Sequence, residues 1–161
     1  MKKRLETKLF SNGAEFLVMS KLLLSNIQTY KAYMNFEGYD LVCVNPNGNL
    51  SAKIQVKSKN FKNDISFYLN KDDKAKSDFY VFAQTNSIKK VGDEYILIPD
   101  SELEPLLYVM DMKTVNKHKR IDKKGNPWIS LSKKSFPDID DYLNNWNQIK
   151  SFLKIPLNKI L

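Results

Sequence analysis

The sequence predicts an α/β fold, a mixed β-sheet flanked by helices. Three observations carry that expectation. A helix-periodic apolar stripe near the N-terminus leads into a β-hairpin over residues 38–59. Aromatic and β-branched runs follow at residues 78–83 and 94–99. Helical periodicity then returns towards the C-terminus.

The hairpin is the best-defined piece. Its first strand, Leu41 to Val44, is apolar on both faces, as a central strand should be. Asn45, Pro46, Asn47 and Gly48 make the turn. In the second strand Leu50, Ala52, Ile54 and Val56 alternate with Ser51, Lys53, Gln55 and Lys57, so period two sends the two sets to opposite faces. Gln55 and Lys57 then point the same way, about 7 Å apart at ~3.3 Å per residue. Two registers are open. A loop of residues 45–49 sets Val44 across from Leu50 and Asp40 across from Ile54. A shift of one residue sets Asp40 across from Gln55 and gathers a carboxylate, an amide and an ammonium at one end.

Around it, residues 2–9 read as a basic helical lead-in broken at Ser11, Asn12 and Gly13. Residues 14–27 read as an amphipathic helix with Phe16, Met19, Leu22, Leu23 and Ile27 in its stripe. Glu15 lies within that stripe, where an unpaired carboxylate is costly. Asn12 and Glu15 also have the spacing of a capping box, so capping and a site role both stay open. Residues 29–36 hold an irregular strand, 65–69 a short one, and 70–77 a loop with a turn or two of helix. Pro99 stops the strand before it, and Asp100 or Ser101 caps a helix over 102–110. Residues 128–131 form a late strand. Asp138 caps a last helix over 139–153, with Leu143, Trp146, Ile149 and Leu153 as its stripe and Pro156 as its end.

With 161 residues the chain reads as a single domain, a core over about 12–100 and a basic and helical extension over about 101–161. Its one cysteine, Cys43, excludes an intramolecular disulfide and suits a reducing compartment. No apolar run has the length of a signal peptide or a membrane span, and a cytoplasmic location without a membrane partner is the expectation. The formal net charge of +8 is segregated. Residues 113–134 hold eight Lys or Arg against Asp122 alone, whereas residues 92–111 hold six acids and no base. Such a pattern suits a polyanion-binding face. Trp128 and the tyrosines have two readings, core packing and base stacking.

Glu15, Asp40 and Gln55 offer oxygen donors of the kind hard divalent cations prefer, above all Mg2+ or Mn2+. No His/Cys cluster suits zinc, and His118 is the only histidine. Lys57 sits two residues from Gln55, placed to serve a phosphate or an attacking water. The chemistry expected of this set is metal-assisted hydrolysis of a phosphodiester.

Glu15, then Gly38-Tyr39-Asp40, then Ile54-Gln55-Val56-Lys57-Ser58 resembles the PD-(D/E)XK nuclease superfamily, the restriction-endonuclease-like fold. The Gln-x-Lys form is similar to its Mrr-like and Holliday-junction-resolvase-like branch. The resemblance spans roughly residues 12–83, including the strand from Asp78. It implies an αβββαβ core, catalytic roles for Glu15, Asp40, Gln55 and Lys57, and Mg2+ or Mn2+ on Glu15, Asp40 and Gln55. It implies DNA as partner and a homodimer, since cutting both strands takes two sites. Lys59, Lys117, His118, Lys119, Arg120, Lys123 and Lys124 would contact nucleic acid. Tyr39 stands where the named motif has proline, and Gln55 replaces an acid. The second change leaves a non-catalytic nucleic-acid-binding or adaptor protein as the alternative.

Overall fold

The structure is a computed structural model and describes residues 2–32, 38–61, 65–70, 77–91, 94–97 and 104–157. Strands β1 (Gln28–Lys31), β2 (Leu41–Asn45), β3 (Leu50–Phe61), β5 (Phe79–Val91), β6 (Glu94–Leu97) and β7 (Leu106–Asp111) form a six-stranded mixed sheet. β1, β2 and β3 are antiparallel neighbours, β3 pairs parallel with β5, and the far edge of β5 pairs antiparallel with β7 and β6. A second sheet of three strands has the order β4 (Ser66–Tyr68), β9 (Pro127–Ser130), β8 (Arg120–Ile121). The helices are α1 (Lys2–Leu24), α2 (Met112–His118) and α3 (Asn147–Phe152), with a 3-10 turn at Ile139–Tyr142. The expected α/β class, a mixed sheet flanked by helices, is the observed one.

The large sheet is covered on both sides. On one face Phe79, Val81 and Ala83 of β5 pack with Leu107 and Val109 of β7, Ile54 of β3, Ala14, Val18 and Leu22 of α1, and Ile149 of α3. On the other face Tyr80 and Phe82 pack with Tyr108 and Met110 of β7, Val115 of α2, and Phe67 and Ile129 of the small sheet. Period two in β5 and β7 thus builds two cores from alternate residues of the same strands. Cys43 lies in the first core, buried and unbonded to another cysteine. No helix among the described residues is long and apolar enough to cross a membrane.

Four expectations are corrected. First, α1 runs unbroken through Ser11, Asn12 and Gly13, so Asn12 does not cap a helix before Glu15. The Ser11 hydroxyl donates to Lys8 O at 3.1 Å. The roughly 1 kcal/mol penalty of a mid-helix glycine is outweighed by packing of the following turns. Second, the buried stripe of α1 is Ala14, Val18 and Leu22, while Phe16 and Leu23 are about half exposed. The helix ends at Leu24 rather than Ile27. Asn26 takes a left-handed φ of 60°. Ile27 N–H donates to Leu22 O at 3.0 Å and Asn26 N–H to Leu23 O at 2.9 Å, a Schellman closure.

Third, residues 106–110, assigned to a helix, are strand β7, and only residues 104 onward of that stretch are described. Fourth, residues 139–153 form two short pieces rather than one helix. Between them Leu143 bridges Tyr108, Asn144 turns with φ 51°, and Asn144 N–H donates to Leu107 O at 2.7 Å. The chain rounds the β7 edge there, so Ile139 serves one core and Ile149 and Leu153 the other. Of the remaining expectations, residues 33–36, 71–76 and 98–103 lie outside the described residues. The crossover from β3 to β5 carries strand β4; the helical turn expected in it also falls on residues 71–76.

Leu22→Ala should cost about 2–5 kcal/mol in urea unfolding, because it opens a cavity under α1. Leu23→Ala should stay within about 0.5 kcal/mol. Reversed costs would mean that the helix is rotated. Burial pushes the Cys43 thiol up to about 11, against a weaker opposing contact from Thr29. Iodoacetamide at pH 8 should therefore leave native Cys43 unmodified and alkylate it readily in guanidinium.

Candidate active site

Asp40 sits where β2 begins and is clamped by its backbone. Ala32 N–H donates to its carbonyl at 2.9 Å, and its own N–H donates to Ile54 O at 2.8 Å. Gly38 brings the chain in with φ 100°, a conformation that favours glycine. The observed register pairs Leu41 with Ile54 and Val44 with Ser51, the second of the two expected alternatives. The next step of that ladder brings Asp40 level with Gln55. Asp40 Oδ2 accepts from the Val56 N–H at 2.7 Å and from Gln55 Nε2 at 2.5 Å. The carboxylate thus bonds the backbone of β3 where β2 no longer runs alongside it, and Oδ1 takes part in neither bond.

Lys57 lies on the Gln55 side of β3, since Gln55 pairs with Tyr80 and Lys57 with Phe82. Its ammonium donates to Asn70 Oδ1 at 2.7 Å, just beyond β4. Glu15 comes from α1, one residue past the buried Ala14, and forms an ion pair with Lys31 of β1. Both side chains of that pair are mostly shielded, at 16% and 12% exposure. Lys31 also stands over the Phe16 ring, 5.2 Å from its centroid. Burial holds the Asp40 carboxyl above the usual carboxylate range; the Val56 N–H opposes the rise, the Glu15 carboxylate adds to it, and the Lys57 and Lys31 ammoniums oppose it. Asp40 and Gln55 are thus bonded to each other, and Lys57 lies two residues along the same face of β3; Glu15 is bonded to Lys31 and acts on Asp40 through its charge alone. Sequence reasoning missed Lys31 and Asn70, for no motif spacing ties either to the hairpin.

Among the described residues no three His, Cys, Asp or Glu side chains cluster as metal ligands. The set here is two carboxylates and an amide. Hard oxygens of this kind fit Mg2+ or Mn2+, and a carboxylate whose ionisation is opposed by burial and a neighbouring acid gains from a nearby cation. Gln55 turns its nitrogen towards Asp40, so its oxygen would face a cation there only after the amide turned over.

The basic residues form a separate group on the second face. Asp111 caps α2, its Oδ1 accepting from Thr114 N–H at 2.7 Å. Lys117, Lys119, Arg120, Lys123 and Lys124 are exposed on α2 and on the hairpin after it. Asn70, Asn116 and Lys119 share a cleft of about 350 Å3. Lys59, next along β3 on the Lys57 side, stands 5.9 Å from the Phe67 ring centroid. His118 is placed differently from its basic neighbours. Its ring stacks on Phe136 at 3.7 Å between centroids. Burial and the charge of Lys117 lower its pKa against the pull of Asp138, which favours the neutral ring.

The fold is shared with a solved structure. The structure of a bacterial homing endonuclease, I-Ssp6803I, superposes with a TM-score of 0.54 over 90% of this chain and 92% of that one, at 21% sequence identity. No protein-family model and no curated protein sequence matches the chain.

The Asp40 environment makes a titration prediction. With its folded pKa above the ordinary 3.8, the native state holds more protons than the unfolded chain between the two values. This group's contribution to stability is therefore greatest at low pH and falls as pH rises through that window. Carboxyl 13C NMR should show Glu15→Gln lowering the Asp40 midpoint and Lys31→Met raising it. An Asp40 midpoint unmoved by Glu15→Gln would separate the two carboxylates.

Proposed function

We propose that the chain is a metal-dependent endonuclease that hydrolyses phosphodiester bonds in DNA, with a site of the PD-(D/E)XK kind in which Gln55 takes the middle acid position. The single observation that carries this reading is the gathering of Asp40, Gln55 and Lys57 at one end of the hairpin, with Glu15 close enough to oppose the ionisation of Asp40. The shared fold with a homing endonuclease supports the DNA-cleaving class.

Glu15, Asp40 and the amide oxygen of Gln55 would hold Mg2+ or Mn2+. When bound, the cation supplies Lewis-acid polarisation of a phosphate oxygen and a water of lowered pKa. The Val56 N–H holds the Asp40 carboxylate in one orientation, while binding through the Gln55 oxygen would first turn that amide over and release its bond to Asp40. Lys31 pairs with Glu15 and holds it in place. Lys57, steadied by Asn70, brings an ammonium to the charge that develops on the scissile phosphate. The basic group around α2 and the following hairpin binds the flanking backbone, and cleavage of both strands calls for a homodimer.

One observation favours a second reading, a DNA-binding protein without cleavage. Gln55 has one negative charge fewer than an acid and already donates to Asp40, which weakens the site for a cation. Plasmid incubated with Mg2+ or Mn2+ separates the two. Wild type should nick or linearise it, EDTA should abolish the reaction, and the double substitution Asp40→Ala, Lys57→Ala should slow it by roughly 100-fold or more. Equal cleavage by the double variant, or none by wild type with either ion, removes the nuclease reading.

A further inference from the structure

The second sheet has an outer face that the cleavage chemistry does not use. Phe67 and Ile129 point inward and are buried, so their neighbours in sequence point outward. The register aligns Tyr68 with Trp128 and Trp128 with Arg120, one residue from each strand in a single row. Ser66 and Ser130 pair in the next row. Tyr68 is 60% exposed and Arg120 is exposed. No acid stands in either row. Among the described residues Asp122, just past β8, spends its Oδ1 on the N–H groups of Lys124 and Asn126, both at 2.8 Å, within the hairpin turn.

This face also adjoins the candidate active site. Asn70, two residues past Tyr68, accepts from the Lys57 ammonium, so the chain leaving β4 runs to that site. Three strands at ~4.8 Å spacing make a backbone ribbon about 10 Å across, which matches a major groove about 12 Å wide. The positive flanks, Lys119, Lys123 and Lys124, suit the phosphates on either side.

We propose that the outer face of β4, β9 and β8 enters the major groove of duplex DNA and reads base edges, with Arg120 as its chief specificity residue. This rests on the reading that the chain binds DNA. The Trp128 ring is already covered by the Arg120 guanidinium, 5.7 Å from its centroid, so it is not an open platform for an unpaired base. The same contact steadies the guanidinium, whose planar fork matches O6 and N7 of guanine. Tyr68 in the same row and Ser130 in the next add hydroxyls able to donate or accept.

A pool of duplexes with 24 random base pairs tests this, using the full chain, Ca2+ in place of Mg2+, gel-shift selection and sequencing. Wild type should recover a consensus with at least one strongly preferred G·C pair. Arg120→Ala and Arg120→Lys should each lose between ~5-fold and ~150-fold of preference at that position. Lys124→Ala should keep the consensus, bind all sequences more weakly and lower the salt slope by about one. An unchanged consensus with Arg120→Ala, no consensus with wild type, or tighter binding of single-stranded than of duplex pools overturns the proposal. The outcomes stay separable from those of the nuclease test. An Arg120-dependent consensus without cleavage in Mg2+ removes only the nuclease, and cleavage without a consensus removes only the reading face.

Discussion

Strand β5 is the constraint on which the molecule depends. It is buried on both sides, Phe79, Val81 and Ala83 entering one core and Tyr80 and Phe82 the other. Its parallel pairing with β3 transmits that division to the hairpin. Ile54 and Val56 follow Phe79 and Val81 into the helix-covered core, and Gln55 and Lys57 follow Tyr80 and Phe82 to the side where the small sheet sits. A slip of one residue between β3 and β5 would bury Lys57 under α1 and expose Val56. The identity of the chemical face is thus enforced by core packing several residues away.

At the end of that hairpin the fold concentrates charge in a shielded place. Asp40 takes one N–H from the backbone and one from an amide, and its ionisation is still opposed by burial. Glu15 approaches from a helix on the opposite side of the sheet and is balanced by Lys31 from the edge strand. Two carboxylates and two ammoniums at one sheet end form an arrangement that a cation and a phosphate can enter by exchanging partners. Asn70 ties this end to the segment leaving the small sheet, joining the proposed chemistry to the surface proposed to read DNA.

Two of the discrepancies between sequence and structure share one cause, burial from two sides. Leu106, Leu107, Tyr108, Val109 and Met110 form a continuous apolar run, and such a run reads as buried helix or buried strand with equal ease. It becomes a strand because β5 offers an unpaired edge. The run from Ile139 to Leu153 was periodic enough for one helix, yet its residues divide between two cores, and the chain bends at Asn144 to serve both. In α1 the opposite happened. The Ser-Asn-Gly break signal was overridden because the helix on either side of it is continuous and Ala14, Val18 and Leu22 anchor it to the sheet.

What the sequence determined by itself was local. Alternation in residues 50–57, the turn at residues 45–49 and the Val- and aromatic-rich run after Asp78 specify a hairpin followed by a core strand, because side-chain period and turn chemistry act over a few residues. It also set Gln55 and Lys57 on one face of the hairpin and left Asp40 open between two registers. Only the tertiary structure decided the hairpin register, the pairing of Glu15 with Lys31, the hold of Asn70 on Lys57 and the row of Tyr68, Trp128 and Arg120. Those contacts join residues far apart in the chain, and nothing in their spacing encodes them; they follow from which faces the two cores leave uncovered.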